Sequence, residues 1–240
     1  MTRMTTADVP ALDDLDWDAL GARLDDDGVA ATPPLLSRDR CDEITAMFDD
    51  DARFRSTVQM ERVSFGIGRY RYFADPLPPL VQELRERVYP HLARVANGWN
   101  TALGEPGRFP DTHADYVAEC ADAGQHKPTP LVLRYGPGGY NCLHQDVYGD
   151  LVFPLQFLVM LSRPDVDFTG GESVFVEQRP RQQSRPTVLR PEQGQAVIFP
   201  VRQRPRRGSR GYHRVQMRHG VSAVHSGERN VLGIIFHNAR

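Results

Sequence analysis

The chain has 240 residues, 40% of them hydrophobic and 25% charged, with a formal net charge of −2; this is the length and composition of one sizeable globular domain, and the total charge announces no partner. No apolar run approaches the roughly 20 residues of a membrane-crossing helix. Cys41, Cys120 and Cys142 are few, far apart and odd in number, which argues against a disulfide framework and for a reducing cytoplasm.

The start, MTRMTTADVPALDDLDWDAL, has no apolar segment of the kind a secretory signal carries. Residues 13–26 place Leu15, Ala19, Leu20 and Leu24 at helical spacing. GVAATPPLL reads as extended and ends at prolines. Ser37 is a plausible N-cap for a helix reaching about Asp50, with Cys41, Ile44, Met47 and Phe48 inward. TVQMERVSFGIGRYRYF alternates and is rich in aromatic and β-branched residues, so it reads as one or two strands. The longest expected helix runs from Leu77 to about Leu103, on a stripe of Leu80, Leu84, Val88, Leu92, Val95 and Trp99.

After Pro128 short apolar runs are punctuated by Gly and Pro, and eight short strands at near-regular spacing predict a β-sandwich or barrel. The expectation is a single domain over residues 1–240: a helix-rich support with some strands over 1–127 and a β-core over 128–240. Charge is unevenly spread. The first sixty residues are acid-rich, whereas Arg179, Arg181, Arg185, Arg190, Arg202, Arg204, Arg206, Arg207, Arg210, Arg214 and Arg218 face one acid, Glu192. The loop 179–190 and the segment 202–214 read as exposed, and a local basic stretch suits an anionic partner.

Within LVLRYGPGGYNCLHQDVYGD, His144 and Asp146 are two residues apart, so in a strand they project together while Gln145 faces away. A buried carboxylate beside an imidazole is costly unless a metal, a hydrogen bond or a counter-charge compensates. Most such triplets are surface residues or a simple His–Asp hydrogen bond. Two histidines and one carboxylate with open positions opposite is, however, the non-heme iron(II) arrangement. Downstream lie His213, His219, His225 and His237. His219 begins an apolar strand, His225 falls in an apparent turn, His213 sits among arginines, and His237 could pair with a backbone group near the end. Arg229 follows His219 by ten residues across the turn HSGE, a spacing that suits two adjacent antiparallel strands with Arg229 deeper in the barrel. In the apolar strand RNVLGIIF this guanidinium needs a buried anion, for which a bidentate carboxylate is the natural choice.

The stretches LHQD, TGGESVF, GQAVIFP, HGVSAV and SGERNVLGIIF, spread over roughly residues 130–240, resemble those of iron(II)/2-oxoglutarate-dependent dioxygenases. That resemblance implies an α+β protein with a double-stranded β-helix (jelly-roll) core and supporting N-terminal helices. It implies His144, Asp146 and His219 as the iron(II) ligands, 2-oxoglutarate and O2 as cosubstrates, and Arg229 on the far carboxylate of 2-oxoglutarate. It makes Tyr135 a candidate hydrogen-bond donor to 2-oxoglutarate, against the plain alternative of a satisfied core tyrosine. Asn230 and Gln156 are further cosubstrate candidates, against outward-facing strand polars.

More narrowly, LHQDVYGDLVFPLQ, FTGGE, EQRPRQQSRP and RHGVS are similar to a bacterial family of oxygenases acting oxidatively on damaged, methylated DNA. RYGPGG…LHQD is also similar to AlkB-type demethylases. The chain departs from these in having a single Arg229 soon after His219 rather than a later arginine pair, a spacing nearer the prolyl-hydroxylase-like branch. The implied reaction is oxidative demethylation of methylated DNA or RNA, yielding succinate, CO2 and formaldehyde. Arg181, Arg185, Arg206 and Arg207 would then contact phosphates, and Tyr148 and Tyr212 would stack on a base. The plain alternative is a solvated surface in a chain whose one lysine is Lys127. Two other functions fit the same residues: hydroxylation of a protein side chain or small metabolite, and a non-catalytic binding module on the same fold.

Overall fold

Alternation of apolar and polar residues decides which face of each strand is buried, and in this computed structural model, which describes residues 9–240, it builds two facing antiparallel sheets. Residues 1–8, the start of the stretch read above for a secretory signal, lie outside the described residues. In chain order the elements are α1 (Trp17–Asp26), β1 (Ala30–Pro34), α2 (Arg38–Met47), β2 (Phe54–Gln59), β3 (Gly66–Ile67), β4 (Arg69–Phe73), α3 (Pro79–Leu103) and α4 (His113–Asp122). Then come β5 (Leu131–Tyr135), β6 (Tyr140–His144), β7 (Leu155–Met160), β8 (Phe168–Gly170), β9 (Ser173–Gln178), β10 (Arg185–Leu189) and β11 (Gln195–Pro200). The chain closes with β12 (Gln203–Gly208), β13 (Gly211–Val221), β14 (Val224–Gly227) and β15 (Arg229–Ile235). No described helix is long and apolar enough to cross a membrane.

The larger sheet has the order β1-β11-β7-β15-β5-β4-β2, and the smaller β10-β9-β13-β6-β3 with β12 added beside β13. This is the double-stranded β-helix. On the larger sheet Val159, Ile198, Leu232 and Ile234 turn to one face and are fully buried, in one cluster with Leu84, Val88, Leu92 and Ala96 of α3. Each such side chain contributes roughly 1.5–3 kcal/mol on leaving water, so the helices stay on this face and the opposite face is left for the cavity. The expected α3 stripe is the buried one, apart from Val95, which is half-buried. Ser37 caps α2 by accepting from the Arg40 N–H; that helix ends at Met47, a few residues before the expected boundary.

Three features depart from the sequence reading. The helix α4 lies in a stretch given no element. The eight expected strands become β5 to β15: β8 and β12 are unforeseen, and the single strand expected over HGVSAVHSGE divides between β13 and β14. Third, the segment 202–214 is no loop: β12 and the first half of β13 form a hairpin, with Arg204 opposite Val215 and Arg206 opposite His213. Its arginines hid the alternation. Arg204 is fully buried and donates to Glu177 and to the Asp25 and Asp26 carbonyls at the end of α1, so it behaves as an inward strand residue.

The pairing of β6 with β13 matters most for the site. His219 lies opposite His144 and Val221 opposite Asn141, so β6 carries one residue more than β13 over this stretch. This bulge bends the strand and re-aims its side chains, which lets both Asn141 and His144 face inward. Gly220 lies across from it, and a Cβ there would come within 2.6 Å of the Asn141 carbonyl oxygen. Gly220→Ala should therefore destabilise the fold by about 1–3 kcal/mol, the usual cost of overpacking, as measured by chemical denaturation.

Candidate active site

His144 is the last residue of β6 and His219 sits opposite it on β13, their ring centres 4.2 Å apart. Asp146 is two residues beyond the strand end, not within the strand as expected, yet it still turns to the same side. Its Oδ1 is 3.4 Å from His144 Nε2 and its Oδ2 is 3.2 Å from His219 Nε2. One ligand atom from each residue lies within 4.8 Å of the others, so the three could hold a metal ion. His144 Nδ1 is 2.8 Å from the Cys142 carbonyl oxygen. A carbonyl only accepts, so Nδ1 carries the proton and Nε2 keeps its lone pair for a metal. Phe65 and Phe199 pack against the two imidazoles.

Burial opposes the charge on Asp146, but hydrogen bonds with His144 and His219 outweigh it and hold the carboxyl well below its ordinary range. Burial also works against the charged form of His144, yet the Asp146 carboxylate lifts this imidazole above its ordinary value. At His219 burial and the neighbouring His144 charge prevail, and it is lowered. Without metal the cluster is thus a carboxylate facing one more basic and one less basic imidazole, and a cation must displace the proton on His144.

A second charged group shares the cavity. Arg229 begins β15 opposite Tyr135 on β5 and is 1% exposed. Its Nη2 donates to Ser173 Oγ at 3.0 Å, its Nε has no partner, and among the described residues no carboxylate lies within ion-pair distance. Burial pulls the guanidinium down to about 10, so it remains charged at neutral pH. Burial likewise pushes the Tyr135 phenol up to about 12, so it stays a neutral donor; its oxygen accepts from Asn141 Nδ2 at 3.3 Å.

The expectation of adjacent strands for His219 and Arg229 is corrected. β13 belongs to the smaller sheet and β15 to the larger, because β14 intervenes and carries the chain between them. The two side chains therefore meet across the sandwich. Tyr135 and Gln156 also line the cavity, and Gln156 Nε2 lacks a partner there. Asn230 does not reach it. One residue on from Arg229 in a strand, it turns to the helix side and bonds Ser162, Glu228 and Arg134. Tyr148 lies at the cavity with its hydroxyl on Asp146.

Arg181 and Arg185 are exposed around the β9–β10 turn. Arg206 is drawn to Glu177, and it and Arg207 lie on the β12–β13 hairpin with Tyr212. Seven strand residues separate Tyr212 from His219, a span of roughly 23 Å, so these three are remote from the histidines. Sequence reasoning missed Asn141 and Ser173. Ser173 was within reach, since it shares an inward face with Phe175 by simple alternation. Asn141 is three residues from His144, out of strand period, and only the bulge explains it.

A two-histidine, one-carboxylate cluster inside a double-stranded β-helix, with a buried arginine opening the last strand, defines an oxygenase of the iron(II)/2-oxoglutarate class. Residues 68–239 match a family described as "Oxygenase, catalysing oxidative methylation of damaged DNA". The chain belongs to this family. It is also 47% identical over 167 residues, 70% of this chain and 72% of each relative, to the uncharacterized proteins MT2286 and Rv2227 of Mycobacterium tuberculosis. Its fold is similar to that of a 2OG-Fe(II) oxygenase family oxidoreductase from Burkholderia pseudomallei, at TM-score 0.54 and 17% identity, covering 94% of this chain and 93% of that one. It is similar too to a Pseudomonas putida prolyl-4-hydroxylase, at TM-score 0.52 and 15% identity, covering 93% and 99%. The protein is accordingly an oxidoreductase whose cofactor is iron(II) and whose cosubstrates are 2-oxoglutarate and O2.

A divalent ion such as Mn(II) should raise the unfolding midpoint, with about 2.7 kcal/mol gained at a hundredfold excess over Kd. His219→Ala should abolish the rise. Because His144 holds its proton above the ordinary imidazole value of about 6.5, the rise should begin to shrink on acidification before that pH is reached, as followed by thermal scans over a pH series.

Proposed function

We propose that this oxygenase oxidatively demethylates alkylated nucleic acid in a reducing cytoplasm, with His144, Asp146 and His219 holding iron(II) and Arg229 holding the far carboxylate of 2-oxoglutarate. The observation that carries the cosubstrate assignment is the buried, positively charged Arg229, which among the described residues has a free Nε and no carboxylate partner. Such a charge is tolerated only if something anionic compensates it. Tyr135 and Ser173 flank it and can bond the same carboxylate, while Leu133, Phe175 and Val231 wall out water.

When bound, iron(II) and 2-oxoglutarate supply reductive activation of O2, one oxygen atom entering succinate with loss of CO2 and the other entering a substrate C–H bond. The chain's own residues orient this chemistry. Cys142 fixes the His144 tautomer, Arg229 fixes the cosubstrate's direction, and the cavity's polar atoms without partners, Gln156 Nε2 and Asn141 Oδ1 among them, remain for the reactants. Oxygenating an N-methyl group gives an N-hydroxymethyl group, which breaks its C–N bond to leave N–H and formaldehyde. An oxygenase of this class carries no methyl donor, so its reaction on damaged DNA removes methyl groups. Nucleic acid as the substrate class is supported by the family's description and by an aromatic-walled cavity with Phe65, Tyr70 and Tyr148, which suits a base taken out of its stack.

Purified protein with iron(II), 2-oxoglutarate and methylated oligonucleotides should release formaldehyde and succinate together. Succinate formation that responds to peptides or metabolites and ignores methylated DNA and RNA would transfer the enzyme to the hydroxylase reading. Arg229→Met should weaken 2-oxoglutarate binding by roughly 150- to 5000-fold, the equivalent of about 3–5 kcal/mol for breaking a buried ion pair. In the absence of 2-oxoglutarate the same substitution should raise the unfolding midpoint, because it removes an uncompensated buried charge.

A further inference from the structure

Asp146 is the one member of the triad that no sheet ladder holds, since β6 ends at His144. Its carboxylate nonetheless keeps one oxygen toward each imidazole. A carboxylate turns easily about its last torsion, and a third contact beside the two imidazoles helps to hold this orientation. The Tyr148 hydroxyl donates to Asp146 Oδ1 at 2.8 Å, a charge-assisted hydrogen bond.

Tyr148 is itself held from two sides. Its ring meets Tyr72 edge-on, with centroids 6.4 Å apart, and lies 6.2 Å from the ring of the buried His237. Behind it, the fully buried Gln125 accepts from the Asp150 N–H at 2.9 Å and the Leu151 N–H at 2.8 Å, and donates to the Leu151 and Asn238 carbonyls. Gly149 makes this clamp possible: its φ is +84°, and a Cβ there would lie 2.4 Å from the Gln125 amide carbon. A buried amide thus pins the turn that returns the phenol to the carboxylate.

We infer that Tyr148 is a positioning residue for the metal-binding carboxylate, acting through Asp146 to keep it aimed between His144 and His219. This rests on the reading of the triad as the iron site. It gives the Tyr148 hydroxyl a task distinct from base stacking. Partners of metal ligands of this kind affect metal affinity by about 10- to 100-fold.

The test is Tyr148→Phe, which deletes one oxygen and keeps the ring. Titration with Co(II) should show about a 10-fold loss of affinity and a changed visible spectrum of the bound ion. Tyr89→Phe, which deletes a buried hydroxyl that has no hydrogen-bond partner among the described residues and does not line the cavity, should bind Co(II) as the wild type does. Wild-type affinity and spectrum in Tyr148→Phe overturn this inference alone. An equal loss in Tyr89→Phe also overturns it, since the effect would then not be specific to the hydroxyl on Asp146. A wild-type protein that takes up no metal overturns the proposed iron site, and this inference with it.

Discussion

The site depends on one register. β13 must pair with β6 so that His219 stands opposite His144, and β6 must accommodate one extra residue between Asn141 and His144. A slip of one position would send every side chain of a strand to the other face, separating the imidazoles and exposing Val215 and Met217, which are buried on the same face as His219. The register is therefore enforced by the core as well as by the ladder. Gly220 admits the close backbone approach that the bulge requires. Beyond the strand end, responsibility passes from the ladder to the turn that carries Asp146 and Tyr148.

Buried charge distinguishes the site from the scaffold. Arg85, Arg204 and Arg229 are all nearly or fully buried. Arg85 is surrounded by the carbonyls of Ile235, Phe236 and His237 and by Asn238, and so ties α3 to the end of β15. Arg204 is matched by Glu177 and by the carbonyls at the end of α1. Arg229 has a serine hydroxyl and the face of Tyr135, whose centroid is 5.5 Å from the guanidinium carbon. Equal burial with unequal compensation separates two structural arginines from one that awaits an anion.

The sequence was most legible where chemistry violated a strand's apolar period. His144 and Asp146 share one side of a His-Gln-Asp triplet, His219 leads into an apolar strand and Arg229 opens another, and the structure brings all four to one cavity. It was least legible where the period itself changed. The bulge hid Asn141, the strand end moved Asp146 into a turn, and the crossing through β14 placed His219 and Arg229 on different sheets. Asn230 was misplaced because its neighbour Arg229 takes the inward face, so alternation forces it outward. Arginine obscured the rest: a strand residue such as Arg204, inward but charged, cannot be told from a loop residue by hydropathy.

That last ambiguity bears on how the proposed substrate would be held. In the sequence the arginines from Arg179 to Arg218 form one basic run, but folding divides them. Arg179, Arg204 and Arg206 surround Glu177, Arg190 pairs with Asp165, and Arg214 with Glu105. Arg207 and Arg210 remain exposed at the tip of the β12–β13 hairpin, and Arg181 and Arg185 beside the β9–β10 turn. His213, opposite Arg206, is six strand residues from His219, roughly 20 Å, or about six steps of a nucleic-acid strand at 3.4 Å each. On the proposed reading, phosphates near the hairpin would be several nucleotides from the oxidised base. Such contacts add affinity without reading sequence, so discrimination between methylated and unmethylated bases must come from the cavity, through its aromatic walls and its polar atoms without partners.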